Sequence, residues 1–338
     1  MNMPIPLIAL GVAAVIGGAG VYKGAKAVEK NNQANSVQNS ANRLANNAKR
    51  KMVREKDRTK NLITSLGNLK INISNREIKN FVNLYSQLKD VKLNEMSASN
   101  ISQVMINAGE LQEMKKISMT ASKLLTGSIG GLSTGALLGW GTYGGVMALG
   151  TASTGTAISG LSGAAATNAT LAWLGGGSIA AGGGGIALGS VVLGGIIAAP
   201  AVLLAGCVFD SQDNTKLDNA KSNLAKAKTY ASDVDKAVSE LKIIQTTIRD
   251  YELILKRLKM ESCRQTQSMS QVIYIYGVNW KNYDSTAKTQ IFLAVKAVQA
   301  LKAAVNTPLL TKNGILTRDI KNFIIQNKRH NSGHKALR

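Results

Sequence analysis

LLTGSIGGLSTGALLGWG, residues 124–141, opens the stretch that decides the fold of this chain. No side chain between Lys123 and Asp210 carries a formal charge, and 23 of the 33 glycines lie there. A soluble core does not need an uncharged run of this length. A bilayer does, because an ionised side chain at its centre costs about 2.5–3.5 kcal/mol. The stretch 124–209 is therefore predicted to be a membrane insert.

Small residues recur every four positions at both ends of this insert. Residues four apart share one face of a helix, so glycine at these positions would make a smooth strip that a neighbouring backbone can approach closely. We therefore predict that the insert packs as a glycine zipper and that the chain forms a homo-oligomer. The predicted packing residues are Gly127, Gly131, Gly135, Gly139, Gly185 and Gly189.

The middle of the insert, residues 151–185, is more polar than its ends and contains the only side-chain amide of the stretch. Lipid tolerates such sequence only where the backbone is buried in protein or lines a wet cavity. Thr154, Ser159 and Asn168 are therefore candidates for a polar lining. The most hydrophobic segment, VVLGGIIAAPAVLLAGCVF at 191–209, is predicted to span the bilayer. A hairpin and four short passes both remain open, and either leaves the two flanks on the same side.

A second uncharged segment, PIPLIALGVAAVIGGAGVY at 4–22, is just long enough to cross about 30 Å of hydrocarbon as a helix. Lys23, Lys26 and Lys30 follow it and no basic residue precedes it. The positive-inside rule therefore favours an external N-terminus and a cytoplasmic location for the helical regions. The alternative is an interfacial or partner-packed helix, because four glycines dilute its hydrophobicity.

The clearest heptad pattern of the chain begins after Asp210. Apolar residues at three- and four-residue steps, interrupted only by Gln245 and Glu252, predict a helix of about 45 residues, or about 65 Å. It is expected to pack against the helices before the insert or against its copy in another subunit. The seam of this predicted coiled coil includes Leu217, Leu224, Val234, Val238, Leu241 and Ile248.

Periodic apolar residues predict helices on both sides of the insert. Turns are expected at Gly67, Asn75 and 97–100, and C-terminal helices near 285–305 and 317–326. The fold class is all-α, with long coiled-coil-like helices flanking a glycine-rich transmembrane hairpin, plus an N-terminal transmembrane helix. The predicted regions are an N-terminal membrane anchor (1–23), a basic helical region (24–123), the membrane insert (124–209), a long heptad helix (210–262), a C-terminal helical region (263–326) and a basic, disordered tail (327–338).

The formal net charge of +22 bears on the partners of the chain. An anionic bilayer surface attracts each nearby Lys or Arg with about 1 kcal/mol. The alternative is that these charges only solvate a surface near the membrane. Nucleic acid is the weaker interpretation, because the basic residues are dispersed and lack the interleaved aromatic residues on which bases stack.

Few residues offer chemistry. The two histidines, His330 and His334, lie in the last nine residues, and Cys207 and Cys263 are isolated from each other. No metal-ligand spacing, phosphate-binding GxxxxGK[ST] motif or nucleophile with a base on an ordered element is present. The sequence therefore predicts no enzyme, no cofactor and no metal site.

Four segments carry a resemblance that covers most of the chain. They are GTYGGVMALGTASTGTAISGLSGAAATNATLAWLGGG (141–177), AAGGGGIALG (180–189), MPIPLIALG (3–11) and TPLLTKNGILT (307–317). Together they resemble an uncharacterised bacterial family of glycine-zipper membrane proteins. The resemblance implies a bacterial origin and a membrane location, and it carries no functional residues. We expect that membrane to be the inner, cytoplasmic one. In plan, an apolar insert between long helices is also similar to helical pore-forming toxins.

Two functions fit these patterns. The first is a non-enzymatic membrane protein that oligomerises through its glycine-zipper helices to permeabilise or remodel the bilayer. The alternative is a membrane-anchored coiled-coil scaffold or adaptor that recruits a cytosolic partner through the seam after Asp210.

Overall fold

In the computed structural model of the protein, the residues described are 18–91, 106, 108–127, 134–143, 216–311 and 314–335. This part of the chain is helical, with two isolated β-bridges and no strand, which confirms the all-α prediction. Its elements are α1 (Gly18–Ile73), a π-helical turn (Ser74–Ile78), α2 (Lys79–Tyr85), α3 (Ala108–Leu125), α4 (Thr134–Tyr143), α5 (Lys216–Tyr276), a 3-10 turn (Trp280–Asn282), α6 (Ser285–Asn306) and α7 (Arg318–Lys335).

The predicted transmembrane elements are not supported by the described residues. No helix in the ranges given above is both long and apolar enough to cross a bilayer. The predicted spanning segment 191–209 lies outside these ranges, and of the N-terminal segment 4–22 only residues 18–22 are described, as the first residues of α1. The predicted transmembrane hairpin and N-terminal transmembrane helix therefore stay predictions.

Several predicted boundaries are corrected. The heptad helix is longer than predicted, because nothing interrupts it before Gly277, whose φ of 77° ends α5 in the left-handed conformation that glycine favours. The turn predicted at Gly67 is wrong, since that residue lies within α1. The predicted tail is helical as far as Lys335, at the end of α7. The two predicted C-terminal helices are confirmed as α6 and α7.

The described chain divides into two compact units. The first contains residues 18–50 of α1 and 216–235 of α5. Its buried side chains are mostly alanines, which allow two helices to pack closely, and Asn223 Nδ2 donates to Gln38 Oε1 over 2.9 Å. The buried apolar residues of this unit are Ala34, Ala41, Ala45, Ala48, Ala220, Ala227, Tyr230 and Val234.

The second unit contains the remaining described residues and has a bundle topology. Within it α1 and α5 run parallel, because their contacts advance together along both helices. The contacts that fix this direction are Glu55–Gln245, Lys70–Tyr251, Glu77–Lys259 and, beyond the helix ends, Lys89–Asn279. In the same way α3 and α6 run parallel to each other, since Glu110 contacts Gln299 and Glu113 contacts Lys302.

Two apolar clusters form the core of the second unit. The larger contains, among others, Leu66, Ile73, Ile117, Trp140, Ile248, Leu255, Leu301 and Ile320. The smaller contains, among others, Ile78, Phe81, Met114, Met269, Trp280, Ile291 and Val298.

Small hydroxyl residues lie between members of the two clusters along the chain at the end of α1 and along α5. Ser74 begins the π-helical turn, and Ser262 and Thr266 lie on α5; all three are buried. Ser74 donates to the backbone carbonyl of Lys70, whereas the hydroxyl oxygens of Ser262 and Thr266 have no hydrogen-bond partner within the described residues. We call these three residues the boundary hydroxyls.

Candidate functional site

The glycines that bring two helices into backbone contact are Gly67 of α1 and Gly141 of α4. A Cβ atom on Gly67 would lie 1.9 Å from the carbonyl oxygen of Leu137, and one on Gly141 would lie 2.1 Å from the carbonyl oxygen of Ile63. Neither distance is sterically allowed, so both positions require glycine for this approach. The crossing places α4, the first described helix of the uncharged stretch, directly against α1.

Apolar packing and one backbone hydrogen bond complete the attachment of α4. Leu138 and Trp140 are buried in the larger apolar cluster. The backbone N–H of Leu309, just after α6, donates to the carbonyl oxygen of Thr142 over 2.7 Å. At least this part of the predicted membrane insert is therefore integrated into the helical bundle. Burial of a Leu or Phe-sized side chain contributes about 1.5–3 kcal/mol each, which makes α4 a firmly held element.

A buried polar group lies one helical turn from this crossing. Lys70, three residues after Gly67 on α1, is fully buried, and its Nζ donates to the carbonyl oxygen of Thr307 over 3.1 Å. The hydroxyl of Tyr251 on α5 donates to the carbonyl oxygens of Ala304 and Thr307. These carbonyls belong to the C-terminal end of α6, where the helix leaves its own acceptors unpaired. Lys70 and Tyr251 therefore cap α6 from two other helices.

Burial favours the neutral form of both side chains and shifts the pKa of each accordingly. Desolvation lowers the pKa of Lys70 to about 7, because no carboxylate of the described residues pairs with its ammonium. Desolvation also raises the pKa of the Tyr251 phenol, and its hydrogen bond to Thr307 opposes that shift. The Lys70 nitrogen lies 4.9 Å from the centre of the Tyr251 ring, and Phe323 of α7 packs edge-on against the same ring.

A second buried polar group joins α1 and α5. Gln245, the first interruption of the predicted heptad, donates through Nε2 to Glu55 Oε2 over 3.1 Å and to Thr59 Oγ1 over 3.0 Å. The hydrogen bond from Gln245 is the main reason that the pKa of Glu55 is lowered. A buried polar contact of this kind fixes the register of two paired helices, because any slip would leave its members unpaired.

The predicted zipper glycines do not lie on one continuous helix. Gly127 follows α3 with a φ of 75°, which is a helix-terminating conformation, whereas Gly135 and Gly139 lie within α4. Because α3 ends before Gly127, this glycine does not share a helix face with Gly135 and Gly139, and the predicted strip of four glycines on one helix is wrong at this position. Gly131, Gly185 and Gly189, and the predicted lining residues Thr154, Ser159 and Asn168, lie outside the described residues.

The predicted seam of α5 faces inward. Val234, Val238, Leu241 and Ile248 are buried, and Leu217 and Leu224 are half-buried. A partner that used these six positions would have to replace packing that the chain itself supplies. The hydrogen bonds of Asn223 and Gln245 to α1 show that α5 packs against a helix preceding the insert, which is one of the two arrangements that the heptad predicts.

Four features of the site are not predicted from the sequence. The sequence predicts a turn at Gly67, although an isolated glycine within an otherwise continuous helical pattern also signals close packing. Gly141 lies outside the predicted glycine repeat. Lys70 and Tyr251 carry no sequence signal, because their pairing depends on contacts between distant segments. In the ranges the structure describes, no group of three His, Cys, Asp or Glu residues is placed to hold a metal ion.

A scan of protein-family models and searches of curated proteins and of solved structures find no match for this chain. The resemblance to a bacterial glycine-zipper family thus stays a prediction. In the described helical bundle, α4 of the uncharged stretch is attached by the close backbone contacts at Gly67 and Gly141 and by the hydrogen bond from Leu309, just after α6.

Proposed function

We propose that the protein is a non-enzymatic bacterial membrane protein that oligomerises through glycine-rich helices of its uncharged stretch to permeabilise or remodel an anionic bilayer. The described bundle would act as the scaffold that holds the stretch and determines how it is presented. The proposal places the bundle, including α4, in the cytoplasm and the uncharged stretch beyond α4 in the inner membrane.

The uncharged stretch between Lys123 and Asp210 is the observation that carries this proposal. Its composition avoids the cost of burying charge in hydrocarbon, and its glycines allow helix backbones to pack without bulky side chains. The packing of Gly141 against Ile63 supports the second point, because a glycine of this stretch already serves as a helix-contact residue.

Dye release from vesicles tests the proposal. Purified full-length protein is added to dye-filled vesicles of phosphatidylcholine and phosphatidylglycerol, beside the variant Gly131→Leu/Gly135→Leu. We expect wild-type protein to release dye and the variant to release at least tenfold less, because leucine prevents close helix approach. Crosslinking in the vesicles should show oligomers of the wild type that the variant loses.

A matched variant controls for added bulk. Ser133→Leu/Ala136→Leu places the same side chains in the same segment at positions outside the glycine repeat. It should release dye as the wild type does. Unchanged leakage and unchanged oligomers in the glycine variant would refute the proposal, and wild-type protein that binds the vesicles without leakage would refute permeabilisation.

A further inference from the structure

The outer face of α5 in the second unit combines positive charge with exposed apolar side chains. Stepping alternately by four and three residues from Lys242 follows a single stripe of the helix. We call this stripe the outer face; its members are Lys242, Thr246, Arg249, Leu253, Lys256, Met260, Cys263, Gln267, Ser270 and Tyr274. Every one of them is exposed, and none is acidic.

The apolar side chains of this face are unusually accessible. Leu253 is 67% exposed, Met260 68% and Tyr274 91%, and all three keep one heptad position. Isolated exposed apolar residues are common on soluble proteins and need no explanation. On α5 the three lie on one face of a rigid helix that also carries Lys242, Arg249 and Lys256, which is instead the pattern of an interfacial amphipathic helix.

The acidic residues of this part of α5 lie beside the outer face and not on it. Asp250 forms an ion pair with Lys328 of α7 over 2.6 Å, and Glu261 accepts from Arg264 over 2.6 Å. Glu252 is half-buried. The surface potential of the outer face is therefore set by Lys and Arg.

We infer that the outer face of α5 docks on the surface of an anionic lipid bilayer, with Lys and Arg at the headgroups and Leu253, Met260 and Tyr274 inserted between them. Charge complementarity selects an anionic surface, and the apolar row selects lipid over other polyanions. Nucleic acid phosphates would pair with the cations but leave Leu253 and Met260 without partners, and the face offers only one aromatic ring for base stacking. This inference rests on the proposed membrane function and identifies the surface by which the bundle meets the bilayer.

Cys263 provides a probe within the face itself. The chain has two cysteines, so Cys207→Ser leaves Cys263, which is exposed, as the only thiol for an environment-sensitive fluorophore. With vesicles of equal parts phosphatidylcholine and phosphatidylglycerol, we expect a blue shift and quenching by brominated lipid. Pure phosphatidylcholine vesicles should give neither. The same probe at Leu293 of α6, in Cys207→Ser/Cys263→Ser/Leu293→Cys, should remain in water.

Two double variants with the same spacing test which face binds. Leu253→Gln/Lys256→Glu changes the outer face, and Leu293→Gln/Lys296→Glu makes identical changes at exposed positions of α6. The α5 variant should lower the affinity for the anionic vesicles about tenfold or more. The α6 variant should stay within about a factor of two of the wild type, and circular dichroism should show that both remain helical.

The outcomes separate this inference from the proposed function. A Cys263 signal that persists in Gly131→Leu/Gly135→Leu, while dye release is lost, supports docking independently of pore assembly. A chain that floats with the vesicles and leaks dye while the Cys263 probe stays in water overturns the docking face alone. A Cys263 signal with duplex DNA but not with vesicles would assign the face to nucleic acid and overturn the inference.

Discussion

Lys70 lies fully buried near the crossing of α1 and α4, and its depressed pKa links proton uptake to unfolding. The unfolded chain binds this proton up to pH about 10.5, whereas the folded chain releases it near pH 7. The unfolded state therefore holds more protons between these values, so this residue makes stability rise with pH by up to about 1.4 kcal/mol per unit. Below pH 7 its contribution is constant.

We predict that Lys70→Met removes this rise and stabilises the protein at pH 7 by about 1–4 kcal/mol. A buried ammonium without a carboxylate partner is replaced by an apolar side chain of similar length, while Tyr251 still donates to the Thr307 carbonyl. Urea unfolding between pH 6 and 9 measures it. Lys296→Met, at an exposed lysine of α6, is the matched control and should follow the wild type. A wild-type slope that persists in Lys70→Met would assign the pH dependence to another group.

Gln245 gives the second prediction at this scale. Gln245→Leu removes the hydrogen bond that the buried Glu55 carboxylate accepts at Oε2, while Arg54 Nε stays 3.8 Å from Oε1, so we expect a loss of about 1–3 kcal/mol at pH 7. The pKa of Glu55 should rise in the variant, and the loss should therefore shrink as the pH falls toward the pKa of a free carboxyl. Denaturant unfolding at pH 7 and pH 4.5 would show this.

Two further variants show whether the loss in Gln245→Leu comes from the unsatisfied Glu55 carboxylate. Glu55→Leu/Gln245→Leu removes both partners and should recover most of the loss. Gln265→Leu, which breaks a similar but more exposed bond to Glu261, should cost at most about 0.5 kcal/mol. If the double variant is less stable than Gln245→Leu, the helices are held together by something other than this polar contact.

At the scale of the element, the attachment of α4 depends on Gly67. Gly67→Ala would place a methyl group against the backbone of Leu137, which cannot move without shifting the helix. We predict that α4 is displaced and that Trp140, buried in the wild type, becomes accessible to iodide quenching. The tryptophans at 173 and 280 are replaced by Phe so that only Trp140 reports.

Gly277→Ala is the contrasting variant. Its Cβ would meet no atom within 4 Å, but its φ of 77° is unfavourable for alanine, so about 1 kcal/mol should be lost while Trp140 stays protected. Equal protection of Trp140 in both variants would show that the crossing tolerates a methyl group at Gly67.

The helices themselves were largely predictable from sequence, whereas their contacts were not. The heptad after Asp210 predicted α5 because apolar periodicity is a local property, and Gln245 was visible as its interruption. The partners of Gln245 and Lys70 lie 190 and 237 residues away, and no local pattern contains that information. For the same reason the four-residue glycine repeat suggested one helix, although the positive φ at Gly127 separates α3 from α4.

At the scale of the whole molecule, the parallel course of α1 and α5 within the second unit can be tested without any mutation. A zero-length carbodiimide reagent joins carboxylates to amines already in contact. We predict a crosslink from Glu77 to Lys259, whose charged atoms lie 3.5 Å apart. Links from Glu113 to Lys302 and from Asp250 to Lys328, both with charged atoms 2.6 Å apart, join other helices and serve as positive controls. Mass spectrometry identifies them, and a link from Glu77 to Lys242 instead would contradict the parallel arrangement.

The boundary hydroxyls bear on how the second unit opens. Apolar contact makes unfolding cooperative, and Ser74, Ser262 and Thr266 interrupt the apolar sequence between members of the two clusters. The two ends should therefore behave as separate foldons. Backbone deuterium uptake would then show two protection plateaus, one for amides around Phe81 and Met269 and another around Leu66 and Ile248, so that one end of the bundle can melt while the other keeps its hold on α4.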